Sequence, residues 1–566
     1  MRASLLLALA WFACAHAPAA CADTLDVAWW QEGALTARRI NEDGSSRAQA
    51  FDGARLVPLG SLWKLFVYVH AVERKLPTPD YTCTGKAPHE EVYCCDKGGS
   101  IARDAALAQS CGLFFAPARL MLARRPWRDY WTERLGHAPS GETDWLADPA
   151  RLTPERLVTL RSLLQALASV PAAGRVEAQA ALLRVVLGAR GASTVGWFGA
   201  RLRVKTFSWH EAKRPTERFG GAAGWLADGT PVWFGGAGTS NSVLQKWAPR
   251  LAAVLPASAP ARDAGCVLVD YFARYPLKRV EAGGVAAVPG SLNGRYVVQF
   301  ENGRSLALFS QGELALGRDA HGRAQVSGRF GVNEYVARVI DREGSAAEPQ
   351  AARALAVAIR TYLQQNATWK DGCQRIADSS ATQRVSPNPA TAAARAVAQW
   401  TDQLVLAGVN VRYHSTTPGK DTMAWSAALE QARQGRRFDE ILAAAYPRAE
   451  LGTLGGVGAL QCTRLAGAEA WLAREVPRWE RALRREAGYE TPPQLPAVCQ
   501  LAAGMPFSEQ SRNRIFVRGL VTREDRITLA HEFLHLGLRN HPRGQDETLV
   551  EQLARRLVDV NLDSRR

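Results

Sequence analysis

The most specific chemical spacing in this chain lies near its end. His531-Glu532-Phe533-Leu534-His535 is an H-E-x-x-H pattern. Histidines four residues apart on a helix sit one turn apart on one face, so both imidazoles can reach one zinc ion. Glu532 lies next to the first of them and can hold the proton of a metal-bound water, the general-base role in metal-assisted hydrolysis. A catalytic zinc also needs a third protein ligand and an open fourth position. A second pattern, Ser61-Leu62-Trp63-Lys64, is S-x-x-K. Residues three apart share a helix face, so a lysine kept neutral by burial can take the serine proton and create a nucleophile.

Both patterns need helices to present them. Thr522-Arg523-Glu524-Asp525 offers an N-terminal cap with acids in the first turn, and Ile527, Leu529, Phe533, Leu534 and Leu536 supply the apolar positions of a buried helix. Pro542 and Gly544 suit a turn into a further helix over 546–555. Around the serine, residues 61–68 form an apolar helix directly after Gly60. Elsewhere, Thr153-Pro154-Glu155 reads as a helix start, followed at helical spacing by Leu157, Leu160, Leu163, Leu164 and Leu167. Residues 232–234 and 296–300 read as strands, and 351–365 and 465–485 as helices.

Several segments resemble known families. Ser61 and Lys64 are followed by Ser110-Cys111-Gly112 and then by Lys205-Thr206-Phe207 ahead of a Trp233-Phe234-Gly235-Gly236 strand. That order resembles the three motifs of penicillin-binding transpeptidases and serine β-lactamases. The resemblance implies Ser61 as the acylated nucleophile, Lys64 as its base, Ser110 as a proton relay, and Lys205 and Thr206 as holders of a substrate carboxylate. Two positions depart from it. Gly112 stands where Asn is expected, and Phe207 stands where glycine lets a substrate approach the strand. A phenylalanine there is expected to fill the substrate channel, which leaves a transpeptidase-like fold with little acyl transfer as the alternative.

The segment 334–343 with the alanine-rich helix after it, Asp378 to Gln383, and Tyr413-His414-Ser415-Thr416-Thr417-Pro418-Gly419 resemble the SpoIID/LytB family, which binds and cleaves cell-wall glycan. The resemblance implies Glu343 as the acid that protonates a leaving glycosidic oxygen. A lytic transglycosylase needs only one such carboxyl, whereas hydrolysis usually needs two. The alternative for Glu343 is a helix-capping or surface carboxylate. For the histidine pair, Glu551-x-x-Ala554 resembles the gluzincin pattern, and His541 lies at the metzincin distance although Gly537 falls one residue early. Glu551 is preferred as third ligand, His541 second and Glu547 third.

Composition bounds the rest. With 566 residues, 47% apolar and 22% charged, the chain is ordinary globular material of several domains. Its formal charge of +16 allows attraction to polyanions without identifying one, and no nucleic-acid motif accompanies it. Arg2, the apolar run from Leu5 to Ala13, and Ala20-Cys21-Ala22 read as a secretory signal at 1–22, and no stretch is long enough to span a membrane. Outside that signal eight cysteines remain, an even number that suits disulfides in an exported protein. The expected bridges are Cys462–Cys499 and two among Cys83, Cys94, Cys95 and Cys111. The 17 tryptophans could stack on sugars but suit a core better.

The fold expected is a multidomain α+β chain. Its units are a transpeptidase/β-lactamase-like domain at 23–255, a SpoIID/LytB-like domain at 265–450 and a mainly helical zincin-like domain at 455–566, divided at the Pro-containing stretch 255–260 and the glycine-rich stretch 452–458. As a whole it resembles uncharacterised secreted bacterial proteins encoded beside alpha-2-macroglobulins, which makes an alpha-2-macroglobulin-like envelope protein a possible partner. The expectation is a periplasmic or secreted envelope protein acting on or docking to peptidoglycan, with zinc-dependent cleavage of a peptide or amide bond as the leading chemistry. Two alternatives stand beside it: a non-catalytic peptidoglycan-binding scaffold of degenerate enzyme folds, and lytic glycan cleavage by the middle domain.

Overall fold

The computed structural model describes residues 23–563, apart from 96–97, 137–140, 189–193, 257–264, 320, 410, 415–421, 448, 454–461, 487, 493, 502–504, 510–512, 539–540, 542–543 and 545–546. The signal segment 1–22, most of both proposed dividing stretches and the Ser415–Gly419 segment lie outside the described residues.

The first body is built on a six-stranded antiparallel sheet in the order Ser46–Ala48, Ala34–Asn41, Thr24–Gln31, Pro231–Ala237, Arg214–Leu226, Leu202–Glu211. The strand Thr24–Gln31 is buried without a break from Leu25 to Trp29, as a strand covered on both faces must be, and its side chains point alternately to the two faces. Leu25, Val27 and Trp29 pack with Val243, Leu244 and Trp247 of the helix Ser240–Val254. Ala28 faces the opposite core, which holds Phe66, Trp127, Trp131, Trp145 and Trp233. Ten of the 17 tryptophans are buried, so most of this residue type is core and not sugar platform.

One helix start differs from expectation. Leu157–Thr159 is a strand paired with Leu56–Pro58, and the helix Leu160–Ala168 begins only after it, with the Thr159 side chain accepting from the Ser162 amide. Thr153-Pro154-Glu155 forms the turn before that strand. Pairing with a partner about a hundred residues earlier overrides the local signal.

His70 is buried in this core, with its ring 4.7 Å from Trp127 and 5.0 Å from Tyr130. Neither ring nitrogen has a hydrogen-bond partner among the described residues. Burial first, then the neighbouring Arg74 and Arg134, push its pKa down to about 4. An unfolded histidine titrates near ~6.5, so the unfolded chain binds the proton first as pH falls. Stability from this site is full above about pH 6.5 and falls by ~3 kcal/mol by about pH 4. His70→Phe is expected to remove that part of the acid destabilisation, measurable as a flatter Tm profile between those pH values.

The middle body carries an eight-stranded sheet in the order Val285–Ala286, Leu277–Ala282, Gly290–Phe300, Ser305–Arg318, Ala324–Phe330, Val267–Tyr271, Cys373–Ala377, Thr368–Lys370. The Cys266–Cys373 bridge ties together two strands that run parallel with Val267 opposite Gln374. The helix Pro349–Asn366 is buried along most of its length, and its alanines let neighbouring elements approach closely. This body also takes in part of the first unit. Strand Val185–Val186 pairs with Glu450–Thr453, which pairs with Leu404–Ala407, and Leu183, Leu187 and Val195 join the same core. The division near residue 255 therefore cuts across shared packing.

The last body packs the helices Ala466–Leu483, Arg523–Gly537 and Glu547–Asp563 with a three-stranded sheet ordered Ala497–Gln500, Arg514–Val517, Phe507–Glu509. Trp471, Trp479, Leu529 and Phe533 are in its core. Thr522 and Asp525 cap the second helix reciprocally, as its sequence requires. The Cys83–Cys95, Cys94–Cys111 and Cys462–Cys499 bridges match the expected set. No helix among the described residues is long and apolar enough to cross a membrane.

Candidate active sites

Ser61 sits in a short 3-10 turn, Gly60–Leu62, that runs directly into the helix Trp63–Glu73. Gly60 takes φ +47°, and a Cβ there would come within 2.9 Å of the Phe207 Cβ. Glycine is required because the turn must pass so close to the sheet edge. Lys64 is 8% exposed, and its Nζ lies 3.2 Å from Ser61 Oγ, 3.1 Å from Ser110 Oγ and 2.7 Å from the Ser110 carbonyl oxygen. One amine thus joins both hydroxyls. Burial pushes the Lys64 pKa down to about 8, so a large fraction is neutral in mildly alkaline solution and able to accept a proton.

Ser110 follows the helix Arg103–Ala108 and adopts φ +64°, the left-handed region that a serine rarely occupies. The bond from Lys64 to its carbonyl and the Cys94–Cys111 bridge on its neighbour flank it. Gly112 lies beside the amine: a Cβ there would fit in ordinary contact, 3.6 Å from Lys64 Cε.

Lys205 and Thr206 lie on Leu202–Glu211, the edge strand of the six-stranded sheet. Lys205 is 2% exposed, and its amine donates to the Thr206 carbonyl at 3.2 Å. Burial, then repulsion from Lys64, holds its pKa well below the ordinary lysine value. Phe207 does not fill the channel. Its ring is buried against Gly60 and lies 6.1 Å from Phe219, and a cavity of about 400 Å³ remains, lined by Ser61, Lys64, Ser110, Lys205 and Thr206 among others. Arg184 also lines it, and no acidic side chain does among the described residues. This arrangement can activate a serine and receive an anionic group beside it.

Glu343 ends the helix Val332–Glu343 and is mostly buried, not a surface or capping carboxylate. One oxygen accepts the Tyr413 hydroxyl at 2.7 Å, and the other accepts the Arg384 amide at 2.8 Å. Tyr413 in turn accepts from Gln383 Nε2 at 2.8 Å, and Tyr335 bonds to Gln383. Burial raises the Glu343 pKa against those two bonds, and the charge of nearby Asp378 adds to the rise. A carboxyl in this state can hold and donate a proton.

The histidine pair stands on the helix Arg523–Gly537, with the two Nε2 atoms 3.1 Å apart. The outer nitrogens are both engaged. His535 Nδ1 lies 3.2 Å from the Gly544 carbonyl oxygen, and His531 Nδ1 lies 3.1 Å from Glu551 Oε2. A carbonyl and a carboxylate only accept, so each Nδ1 carries the proton. With both imidazoles neutral, two Nε2 lone pairs face each other, and a cation between them resolves the repulsion. Such a cation would be a shared proton or a metal ion. Tetrahedral zinc with nitrogen ligands at ~2.0–2.1 Å places those nitrogens about 3.3 Å apart, close to the spacing here.

Glu551 lies on the helix Glu547–Asp563, behind His531 and not across from it, and its other oxygen is 2.7 Å from Arg555 Nη2. That is the position of an outer partner that fixes a ligand's orientation, not of a third ligand. His541 packs against Gly488, where an added Cβ would meet its backbone at 3.0 Å. The Glu547 side chain lies outside the described residues. Among the described residues no set of three histidine, cysteine or acidic groups converges to hold a metal ion. The donors present therefore fit one side of a zinc site. Glu532 is beside them and 8% exposed.

Comparisons with known proteins place these sites in a wider set. A family model described as "Predicted secreted protein (DUF2300)" matches residues 86–216 and 421–543. The chain is 44% identical over 522 residues to the uncharacterized protein YfaQ of Escherichia coli (strain K12), covering 92% of this chain and 93% of that one. Among solved structures, weak similarity links the chain to the penicillin-binding protein PonA1 of Mycobacterium tuberculosis, at 15% identity and a TM-score of 0.30 over 48% of this chain and 83% of that one. The C-terminal domain of the Bacillus licheniformis BlaR penicillin receptor gives 11% identity and 0.25 over 41% and 91%. A β-lactamase from Desulfarculus baarsii gives 18% and 0.24 over 41% and 92%.

Proposed function

We propose, since the chain belongs to the DUF2300 family of predicted secreted proteins that includes YfaQ, that it is an exported envelope protein in which Ser61 forms an acyl-enzyme with a peptide or amide substrate of the peptidoglycan class. One observation carries this reading: the Lys64 amine is within hydrogen-bond reach of both the Ser61 and Ser110 hydroxyls in a site that keeps it partly neutral. The secreted family description and the four disulfides agree with the exported location.

The chemistry follows from those contacts. Neutral Lys64 takes the Ser61 proton as Oγ attacks the substrate carbonyl carbon. The C–N bond then breaks, and the proton passes from Lys64 through Ser110 to the leaving nitrogen. An ester to Ser61 remains, and water or an acceptor amine resolves it. An arriving carboxylate beside Lys205 stabilises that amine's charged form, which burial alone disfavours. Stoichiometric labelling by a fluorescent penicillin in the wild type and none in Ser61→Ala is the expected result. Equal labelling of both proteins places the adduct on another residue and removes Ser61 from the reading, and labelling of neither favours the scaffold reading, in which the same folds dock to peptidoglycan or to an alpha-2-macroglobulin-like partner without chemistry.

Two further readings each have an observation in their favour. The facing Nε2 atoms of His531 and His535 support a divalent cation, zinc by donor type, whose chemistry is to polarise a carbonyl and acidify bound water. In that reading Glu551 orients His531, Glu532 holds a proton beside the cation, and His541 or Glu547 is left to complete the ligand set. The buried Glu343, bonded to Tyr413, supports proton donation to a glycosidic oxygen in lytic cleavage of glycan strands. Glu343→Gln is expected to abolish any release of glycan fragments from purified sacculi while Ser61 labelling persists. Fragment release at the wild-type rate contradicts that role.

A further inference from the structure

The serine centre is flanked by a charge cluster that the last body helps to build. Arg518 follows the strand Arg514–Val517, and its side chain is mostly buried. Its Nη2 lies 2.5 Å from Asp104 Oδ2 and its Nη1 lies 3.6 Å from Glu177 Oε2. Asp104 opens the helix Arg103–Ala108 that leads to Ser110. Its other oxygen accepts the Tyr68 hydroxyl at 2.9 Å. Tyr68 stands one turn beyond Lys64 on the helix Trp63–Glu73, so it shares that residue's face. Arg103 bonds Glu177 at 3.0 Å and lies 5.1 Å over the Tyr68 ring. The cluster therefore bridges the two helices whose ends present Lys64 and Ser110.

We infer that Arg518 is a positioning residue for the serine centre, so that the last body completes the site whose nucleophile belongs to the first. The inference rests on the acyl-enzyme reading and extends it. Charges balance in the cluster: Arg103 and Arg518 stand against Asp104 and Glu177, and the adjoining Arg184 is paired with Glu450. Without Arg518 a buried negative charge is left over, and the helix before Ser110 must shift to hydrate it. Ser110 is held in a left-handed conformation that costs energy to maintain, so a loosened helix lets it relax and withdraws the carbonyl and hydroxyl that face Lys64. Lys64 would then sit beside Lys205 and Ser61 with one partner fewer, in a wetter site.

The test uses the full chain with its disulfides intact. Fluorescent-penicillin acylation is followed against pH for the wild type, Arg518→Met, and Arg518→Met combined with Asp104→Asn. The single variant is expected to acylate roughly 10–100-fold more slowly, with its pH midpoint moved up from near 8. The double variant, in which charge balance returns, is expected to recover most of the rate and the original midpoint. Hydrogen exchange read in parallel is expected to rise at 103–112 and 61–68 in the single variant but not in the strand Thr24–Gln31. A wild-type rate, midpoint and exchange pattern in Arg518→Met overturns the inference, as does a loss of folded protein with unchanged rate per folded molecule. If the wild type itself is not labelled, the acyl-enzyme reading fails, and the exchange pattern alone still decides whether Arg518 holds the helix.

Discussion

Lys64→Met is expected to slow acylation of Ser61 by ~10²–10⁴-fold, the usual worth of a positioned general base. The wild-type rate is expected to climb with pH and reach half its plateau near pH 8, where half of the Lys64 amines are neutral. The methionine variant has no such inflection. Its stability should move the other way. A lysine unfolded titrates near ~10.4, so between about pH 8 and that value the unfolded chain holds a proton that the folded chain has released. The folded state is penalised in full below about pH 8, by ~3 kcal/mol, and recovers as pH rises toward 10.4. Methionine removes that penalty and loses the bonds to Ser61 and Ser110, so Tm at pH 7 is expected to hold or rise as the rate collapses. A loss of activity with a gain of stability is the signature of a group kept for chemistry.

The second large effect concerns the histidine pair. Chain prepared without chelator is expected to retain about one zinc ion per molecule, and His531→Ala or His535→Ala to retain none. Glu551→Gln separates this reading from a proton shared between the rings. It keeps both Nε2 atoms but weakens the partner of His531 Nδ1, so zinc affinity should fall by ~10–100-fold without vanishing. Competition with a chelator of known affinity measures this directly. If the rings share a proton instead, metal content is near zero in all variants, and Glu551→Gln shows itself only as a lower imidazolium pKa in the NMR titration of His531.

The sequence made the local parts of these sites visible and left the non-local parts hidden. H-E-x-x-H is a spacing within one helix, and S-x-x-K spans a 3-10 turn and the first turn of the helix it runs into, so each brings its residues to one face. What neighbours those residues depends on how distant elements cross. Glu551 shares the spacing of a third ligand, but the angle between its helix and that of His531 carries it to the outer nitrogen. Phe207 is a departure from the motif that in sequence implied a blocked channel. Its ring instead packs beneath Gly60, because the turn before Ser61 bears no side chain there. Glu343 meets its partners Arg384 and Tyr413 only in the fold, the second of them seventy residues on. Arg518 carries no motif in an arginine-rich chain, and only its contact with Asp104 distinguishes it. The pairing of Val185–Val186 with Glu450–Thr453 likewise had no signal in composition, since two valines are too short a strand to read.

The most direct measurement is the intact mass of the chain after exposure to benzylpenicillin at pH 8.5, followed by mapping of the modified peptide. One adduct per molecule is expected, carried on the peptide that contains Ser61, forming about 25-fold faster at pH 8.5 than at pH 6.5 and absent after Ser61→Ala. An unmodified mass in correctly folded protein, or an adduct on any other residue, contradicts it.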